Sequence, residues 1–330
     1  MALAIMLLGV SAEAAQPRLK IEHVEPLSWW VGMNTPLQLM INGNGISEYD
    51  VAILPQGQGV EVKAVHKADS PNYLFVDVAI APTAKAGEYT LRFTSGKAKH
   101  DVTYRIDERK AGSRERESFT NADFVYLIMP DRFADGDTTN NTLKEMNFPV
   151  AVDRNNPSGR HGGDLKGIEN NLDYIESLGV TAIWLNPVLE NDMPGGTYHG
   201  YATTNYYRVD PRFGTNDEYR SLIAASHNRG IKVVMDMIFN HSGSSHPWID
   251  DLPSKDWLNF PDGSCLTNFR LSTINDPYAS DYDRTRSVKG WFVPSMPDLN
   301  QQNPHLMRYL IQNSIWWIEY SKIDGIRMDT

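Results

Sequence analysis

Cysteine is nearly absent from this 330-residue sequence, which contains only Cys265, so an intrachain disulfide is excluded. Positive charge is also scarce. The formal net charge is −10 and there is no lysine- or arginine-rich run, which argues against a nucleic-acid partner. After the first ten residues, no apolar run is long enough to span a membrane. The remaining composition, 41% hydrophobic and 22% charged, is typical of globular domains, and the length suggests two of them.

The first ten residues form an apolar run that is too short to cross a bilayer. Ala12 and Ala14 follow with the spacing of small residues that a signal peptidase recognises, and Pro17 then breaks the run. This pattern predicts a signal peptide over residues 1–15 and an exported protein, in the periplasm or the outside medium, although no positive charge precedes the run. The alternative is an N-terminal segment that is frayed or buried.

Short alternating strands dominate residues 16–107, with turn clusters between them. Examples are residues 60–65, 73–80, 88–93 and 101–106. Roughly seven strands at this spacing predict an all-β, immunoglobulin-like sandwich. The charge-dense residues 108–118 are interpreted as a linker.

Residues 119–330 alternate strands and helices. Apolar strands are predicted at residues 124–129, 180–185, 231–235 and 323–328, and helices at 166–178, 217–228 and 304–322. The apolar stripe of the first helix extends to Leu178, and that of the third includes Ile311. This alternation predicts a parallel sheet covered by helices, either doubly wound or a (β/α)8 TIM barrel. The loops after strands are long and those after helices are minimal, which favours the first half of a barrel with its site at the carboxyl ends of the strands. No G-x-G-x-x-G follows a strand, which weakens a nucleotide-binding alternative.

Polar residues follow the predicted strands and are candidates for a site. Asp236, Asn240 and His241 follow the third strand, and Arg327 and Asp329 lie two residues apart on the fourth, so their side chains point the same way. A guanidinium beside a carboxylate favours its charged form, which a glycosidase nucleophile requires. By itself, the spacing of Arg327 and Asp329 favours an ordinary ion pair at a strand end, and Asp236 alone is typical of a residue that caps a loop.

A second candidate lies in the loop at residues 135–141, with Asp164 downstream. Asp135, Asp137, Asn140 and Asn141 offer four hard oxygen donors within seven residues, a set that suits Ca²⁺. The loop is not an EF-hand, and a turn-rich loop with side-chain caps is an equal alternative.

Aromatic residues are concentrated between the third strand and the long last helix, at Trp248, Trp257, Phe260, Phe269, Trp291 and Phe292. They could stack on sugar rings, but we expect most of them to pack this insertion together.

Several segments together resemble the signature regions of glycoside hydrolase family 13, the α-amylase family. They are YLIMPDRFADGD (126–137), YHGY (198–201), DMIFNH (236–241), MPDLN (296–300) and GIRMD (325–329). MPDLN is similar to the form in the neopullulanase–cyclomaltodextrinase branch. Residues 26–33, with residues 37–40, are similar to the N-terminal domain of exported bacterial cyclomaltodextrinases. The resemblance covers nearly the whole chain.

The resemblance implies a role for each matching residue. Asp329 matches the catalytic nucleophile and Arg327 its orienting partner, while His199 and His241 match sugar-binding histidines and Tyr201 a stacking platform. Asp236 and Asn240 match residues that support the site. The family's general acid and third carboxylate would lie beyond Thr330, so we expect the chain to be C-terminally truncated and inactive alone.

The resemblance also implies structural calcium, held by Asp135, Asp137, Asn140, Asn141, Asp164 and the carbonyl of Gly162. The implied activity is retaining hydrolysis of α-1,4 bonds, with cleavage of α-1,6 bonds left open, and the implied partners are cyclodextrins, maltodextrins and pullulan. An amylase, a transglycosidase, and a starch-binding protein without catalysis remain alternatives. Homo-oligomerisation is open.

Overall fold

The computed structural model describes residues 19–270 and 272–330. The predicted signal peptide therefore lies outside the described residues. No helix within the described ranges has both the length and the apolar character needed to cross a membrane.

The N-terminal part is a β-sandwich of two four-stranded sheets, with strand orders β1-β3-β6-β5 and β2-β8-β7-β4. The strands are β1 (Ile21–Glu25), β2 (Ser28–Trp30), β3 (Leu37–Gly43), β4 (Asp50–Leu54), β5 (Val60–Lys67), β6 (Tyr73–Ile80), β7 (Gly87–Ser95) and β8 (Ala98–Asp107). The predicted sandwich is confirmed, with eight strands in the described part of the chain where about seven were expected.

Alternation along β8 shows why these residues form a sandwich. Tyr104 and Ile106 are buried, whereas Thr103 and Arg105 between and beside them are exposed. Successive side chains of a strand point to opposite faces, so this order places one face of β8 in the core.

The segment interpreted as a linker, residues 108–118, contains no helix or strand, and the next strand begins at Val125. It is nevertheless anchored. Arg109 donates two hydrogen bonds to Glu319 Oε1, at 3.0 and 2.6 Å, and Arg116 Nη1 donates to the Ile318 carbonyl oxygen at 3.0 Å. These contacts hold the segment against the last helix of the chain.

The C-terminal part is built on a parallel sheet with strand order β14-β13-β10-β9. Its strands are β9 (Val125–Ile128), β10 (Ala182–Leu185), β13 (Lys232–Ile238) and β14 (Gly325–Asp329), and β11 (Leu189–Glu190) pairs with β12 (Asn205–Val209) beside it. The helices are α1 (Pro130–Phe133), α2 (Leu165–Asn170), α3 (Leu172–Ser177), α4 (Asn216–His227), α5 (Pro247–Asp250), α6 (Ser272–Asn275), α7 (Asp281–Lys289) and α8 (Pro304–Ser321). Four parallel strands joined through helices confirm the first half of a TIM barrel.

Helix α4 confirms the helix predicted over residues 217–228. Thr215 and Glu218 form a capping box that satisfies the first backbone amides, and Tyr219, Leu222 and Ile223 are buried on one face of the helix.

The predicted helix over residues 166–178 is interrupted. Asn171 leaves the helical conformation, and its Nδ2 donates to the Gly167 carbonyl oxygen at 2.7 Å, so α2 and α3 are separate. The prediction was wrong for Leu178, which lies beyond α3 and is 41% exposed. The short polar side chain at 171 competes for a backbone carbonyl, which periodicity alone does not reveal.

Helix α8 packs against the sandwich and joins the two parts of the chain. The Gln38 backbone N–H donates to Gln312 Oε1 at 2.7 Å, and Gln312 Nε2 donates to the Gln38 carbonyl oxygen at 2.8 Å. Tyr309 Oη donates to Glu25 Oε2 at 2.9 Å, and burial raises the pKa of Glu25. Ile311 was predicted on the apolar face of this helix but is 49% exposed, since it lies on the side of the helix away from the buried Asn313 and Trp316.

Truncating Gln312 therefore destabilises the fold at this junction. We expect Gln312→Ala to lower the free energy of unfolding by about 1–3 kcal/mol, because both backbone groups of Gln38 lose their partner while buried. Denaturant unfolding measures this loss. Gln302→Ala, at an exposed position before α8, is the matched control. Equal stability of the two variants would contradict the role of the Gln38 and Gln312 pair.

Candidate active site

Strand pairing brings Asp236 and Arg327 side by side. They are register partners on the parallel strands β13 and β14. Arg327 Nη1 donates to Asp236 Oδ1 at 3.2 Å and, on the same strand, to Asp329 Oδ1. Asp236 is only 1% exposed. One guanidinium is therefore shared between two carboxylates from neighbouring strands.

The charges of this group are mutually dependent. Burial lowers the pKa of Arg327, but hydrogen bonds and charge from Asp329 and Asp236 outweigh it and the net pKa is raised. Burial raises the pKa of Asp236, opposed by hydrogen bonds from Trp184, Tyr201 and Arg327. A buried carboxylate with this many donors remains an effective anchor for the guanidinium.

Tyr201 joins the group through its hydroxyl, which donates to Asp236 Oδ2 at 3.0 Å. Burial, followed by the Asp236 charge, raises the pKa of Tyr201. The ring lies 5.8 Å from the ring of His199, tilted by 33°. The predicted sugar platform and the predicted support residue are thus in direct contact.

The two predicted sugar-binding histidines both contact Tyr201, and together the three residues form what we call the rim of the site. His241 is 2% exposed, and its Nε2 donates to the Tyr201 carbonyl oxygen at 2.9 Å. His199 Nδ1 accepts from the Tyr201 backbone N–H at 2.9 Å. Burial lowers the pKa of both rings, which favours neutral imidazoles. A sugar hydroxyl at His241 would have to share the contact that its Nε2 already makes.

Asn240 contacts His241 and the loop that contains Asp298. Its Nδ2 lies 3.3 Å from His241 Nδ1, and its backbone carbonyl accepts from the Leu299 N–H at 2.8 Å. The same loop carries Asp298, which bridges to His241 in an antiparallel pair and accepts from Asn259 Nδ2 at 2.8 Å. Burial raises the pKa of Asp298 to about 7, above the ordinary aspartate value.

Sequence reasoning missed two residues of this neighbourhood. They are Asp298, which lies within the MPDLN segment, and Trp184, which lies within the predicted strand at residues 180–185. Trp184 Nε1 donates to Asp236 Oδ2 at 2.9 Å. For Trp184, the available sequence signal was a tryptophan near the carboxyl end of an otherwise aliphatic strand.

The aromatic insertion is divided between core and surface. Trp248 and Trp257 are buried, as expected for packing residues, whereas Phe269 is 60% exposed. Phe292 stacks on His241, with ring centroids 5.7 Å apart, and Phe269 meets Phe292 edge-on at 5.3 Å. The insertion therefore reaches the histidine rim.

The predicted calcium loop gathers oxygen atoms that lack hydrogen-bond partners. Asp135 Oδ1, Asn140 Oδ1 and Asn141 Oδ1 are all buried and unpaired. A Cβ at Gly162 would approach Asn141 Oδ1 to 2.5 Å, so only glycine brings its backbone this close. Such a set of hard oxygens matches the donor chemistry of Ca²⁺.

Asp137 and Asp164 have other partners in the same loop. Asp164 caps α2, and its carboxylate accepts the backbone N–H groups of Gly136, Asp137 and Gly167. Asp137 Oδ1 accepts from the backbone and hydroxyl of Thr139. Within residues 19–270 and 272–330 no group of three or more His, Cys, Asp and Glu side chains is arranged to hold a metal, so an ion in this loop would need amide and carbonyl oxygens in addition to carboxylates.

Comparison with protein families gives two matches, in the order of the two structural parts. The model described as the N-terminal domain of cyclomaltodextrinase matches residues 23–110. The model described as the catalytic domain of alpha amylase matches residues 127–330.

Curated relatives match over the C-terminal part. A cyclomaltodextrinase from Bacillus sp. is 35% identical over 205 residues, covering 62% of this chain and 34% of the relative. An intracellular maltogenic amylase from Bacillus subtilis is 34% identical and is covered to 32%, and a neopullulanase 2 from Thermoactinomyces vulgaris is 34% identical and covered to 33%. The chain thus spans about a third of the length of these relatives.

Solved structures agree with the fold and family. An α-amylase from Geobacillus thermoleovorans is 39% identical with a TM-score of 0.50, covering 63% of this chain and 40% of that one. An Anoxybacillus α-amylase is 37% identical with a TM-score of 0.53 and the same coverage. Because the catalytic-domain match includes every strand that carries the site, this chain belongs to the α-amylase family and holds the first part of its barrel behind a cyclomaltodextrinase-type N-terminal domain.

Proposed function

We propose that the full-length protein hydrolyses α-1,4 and α-1,6 bonds in cyclodextrins, maltodextrins and pullulan, with retention of configuration and with Asp329 as nucleophile. The observation that carries this proposal is the Arg327 guanidinium shared between Asp236 and Asp329. Membership of the α-amylase family and the relatives named cyclomaltodextrinase and neopullulanase support the substrate class.

Each group has one task in this mechanism. The Asp329 carboxylate attacks the anomeric carbon and forms a glycosyl-enzyme as the glycosidic bond breaks, and a carboxylic acid protonates the leaving oxygen. Water then displaces Asp329 and releases the sugar. Arg327 aims Asp329 and keeps it charged before its attack and again after water has released it.

The histidines and Tyr201 form the side of the site that receives the sugar. Neutral imidazoles at His199 and His241 can donate to or accept from hydroxyl groups, and the Tyr201 ring offers an apolar face to a pyranose. Tyr201 is fixed by its hydroxyl bond to Asp236, so substrate stacking and nucleophile alignment depend on the same carboxylate.

Removing the charge of Asp329 tests the nucleophile. In the full-length enzyme, we expect Asp329→Asn to lower kcat on maltoheptaose by at least ~10³-fold, because the amide cannot form the glycosyl-enzyme. Reducing-sugar release measures the rate, and proton NMR of the first product measures its anomeric form, expected to be α.

Asp173→Asn is the matched control, since this carboxylate is 87% exposed on α3 and far from the rim. Its rate should equal that of the parental enzyme. Parental activity in Asp329→Asn, or a β-anomeric first product, would contradict the mechanism.

We further propose that the loop at 135–141 binds a structural Ca²⁺ through Asp135, Asn140, Asn141 and the carbonyl of Gly162, with Asp137 and Asp164 completing or ordering the site. Three unpaired buried oxygens in this loop support the fit. When bound, the ion would neutralise the loop carboxylates and fix the loop against the start of α2.

Calcium should therefore raise thermal stability through the loop oxygens. We expect a chelator to lower the Tm of the protein by roughly 5 °C, since an ion that binds only the folded state stabilises it. Asn140→Ala should abolish this calcium response without lowering the Tm in chelator, because its Oδ1 has no other partner. Differential scanning calorimetry measures both.

Glu145→Gln, an exposed position in the same region, should keep the full response. An undiminished calcium response in Asn140→Ala would exclude this site.

We also propose that the protein is exported, on the pattern of residues 1–15. Expressed from its full-length gene in a Gram-negative host, it should be recovered from the periplasm with a mature N-terminus near Gln16, as determined by N-terminal sequencing. A cytoplasmic protein that retains Met1 would contradict export.

A further inference from the structure

Trp184 contacts both Asp236 and Arg327, although the sequence did not predict it as a site residue. It lies on β10, the strand next to β13. Its Nε1 donates to Asp236 Oδ2 at 2.9 Å, and the guanidinium carbon of Arg327 lies 5.0 Å from the centroid of its ring. The edge of the Trp184 ring thus contacts the Asp236 carboxylate, and its face contacts the Arg327 guanidinium.

Each of these contacts has a directional effect. An indole N–H can only donate, so at Asp236 it favours the charged carboxylate. The face of the ring attracts a cation, so it holds the guanidinium of Arg327 over the strand rather than in solvent. Both effects keep Arg327 in the position from which it reaches Asp329.

We propose that Trp184 is a positioning residue for the glycosidase reaction, holding Asp236 charged and Arg327 oriented so that the Asp329 carboxylate is aimed. This inference rests on the proposed function. It adds a third strand, β10, to the two strands whose residues define the nucleophile.

The surroundings of Asp236 set the sign of the expected pH effect. In the described part of the chain, the titratable and charged groups that face it are Tyr201 from the loop after β10, and Arg327 with Asp329 behind it from β14. Burial already raises the pKa of Asp236, and the Trp184 hydrogen bond opposes this. Loss of the N–H raises that pKa further, so Asp236 becomes protonated at a higher pH and releases Arg327.

Trp184→Phe in the full-length enzyme separates these effects, because it keeps an aromatic face and removes the N–H. We expect the ratio of kcat/KM at pH 5 to kcat/KM at pH 7 on maltoheptaose to fall by ~3- to 10-fold, as for loss of a hydrogen bond to a charged group. The decrease should lie in kcat, with KM changed less than about twofold, since the nucleophile and not the sugar contacts is affected.

Trp316→Phe is the matched control. Its Nε1 donates to the neutral Ser28 hydroxyl at 3.2 Å, between α8 and the sandwich, so its removal should leave the pH profile unchanged. An active parental enzyme with identical profiles for Trp184→Phe and Trp316→Phe would overturn the assignment of Trp184 alone. An inactive parental enzyme would overturn the proposed function and this inference with it.

A spectroscopic measurement covers the case in which Trp184→Phe fails to fold. In the ¹⁵N-tryptophan-labelled parental protein, one indole N–H resonance should titrate with pH as Asp236 gains its proton, and Asp236→Asn should abolish that titration. An identical pH response of all indole resonances in the two proteins would overturn the inference.

Discussion

The site depends on a single cation held between two carboxylates that the fold places on adjacent strands. Arg327 contacts Asp236 because β13 and β14 pair in parallel with these residues opposite each other, and it contacts Asp329 because residues two apart on a strand share a face. Neither carboxylate could be moved by one position without losing the guanidinium. The buried Asp236 anchors this arrangement, since it accepts hydrogen bonds from three side chains, those of Trp184, Tyr201 and Arg327.

Around Asp236 the rim is assembled from loops that follow the strands. Tyr201 links the second strand's loop to Asp236 by its hydroxyl and to His241 by its carbonyl oxygen. Phe292 extends the contact from His241 into the aromatic insertion. The loop at residues 135–141 presents unpaired oxygens that belong to none of these residues, so the ion proposed there would act on the fold rather than on the reacting bond.

Much of this could be predicted from sequence, because the decisive signals are local. Strand–helix alternation indicated the half-barrel, and the two-residue spacing of Arg327 and Asp329 indicated that their side chains share a face. What could not be predicted depends on tertiary contacts. Trp184 reads as one more apolar strand residue until β10 and β13 are paired, and the hydrogen bonds between Gln38 and Gln312 join positions 274 residues apart. The helix break at Asn171 was not predicted, because the spacing of apolar residues does not reveal that one polar side chain donates to a backbone carbonyl oxygen.

Helix α8 connects the sandwich to the active-site strand. One side of the helix packs against the sandwich, and its carboxyl end leads into β14, which carries Asp329. The N-terminal domain therefore cannot be exchanged for another domain during evolution without changes in α8. A lineage that exchanged it for another module would also have to rewrite the face of α8 that carries Tyr309 and Gln312. Residues 38 and 312 should accordingly change together among homologues that keep both domains, and recombination boundaries should avoid separating the sandwich from this helix.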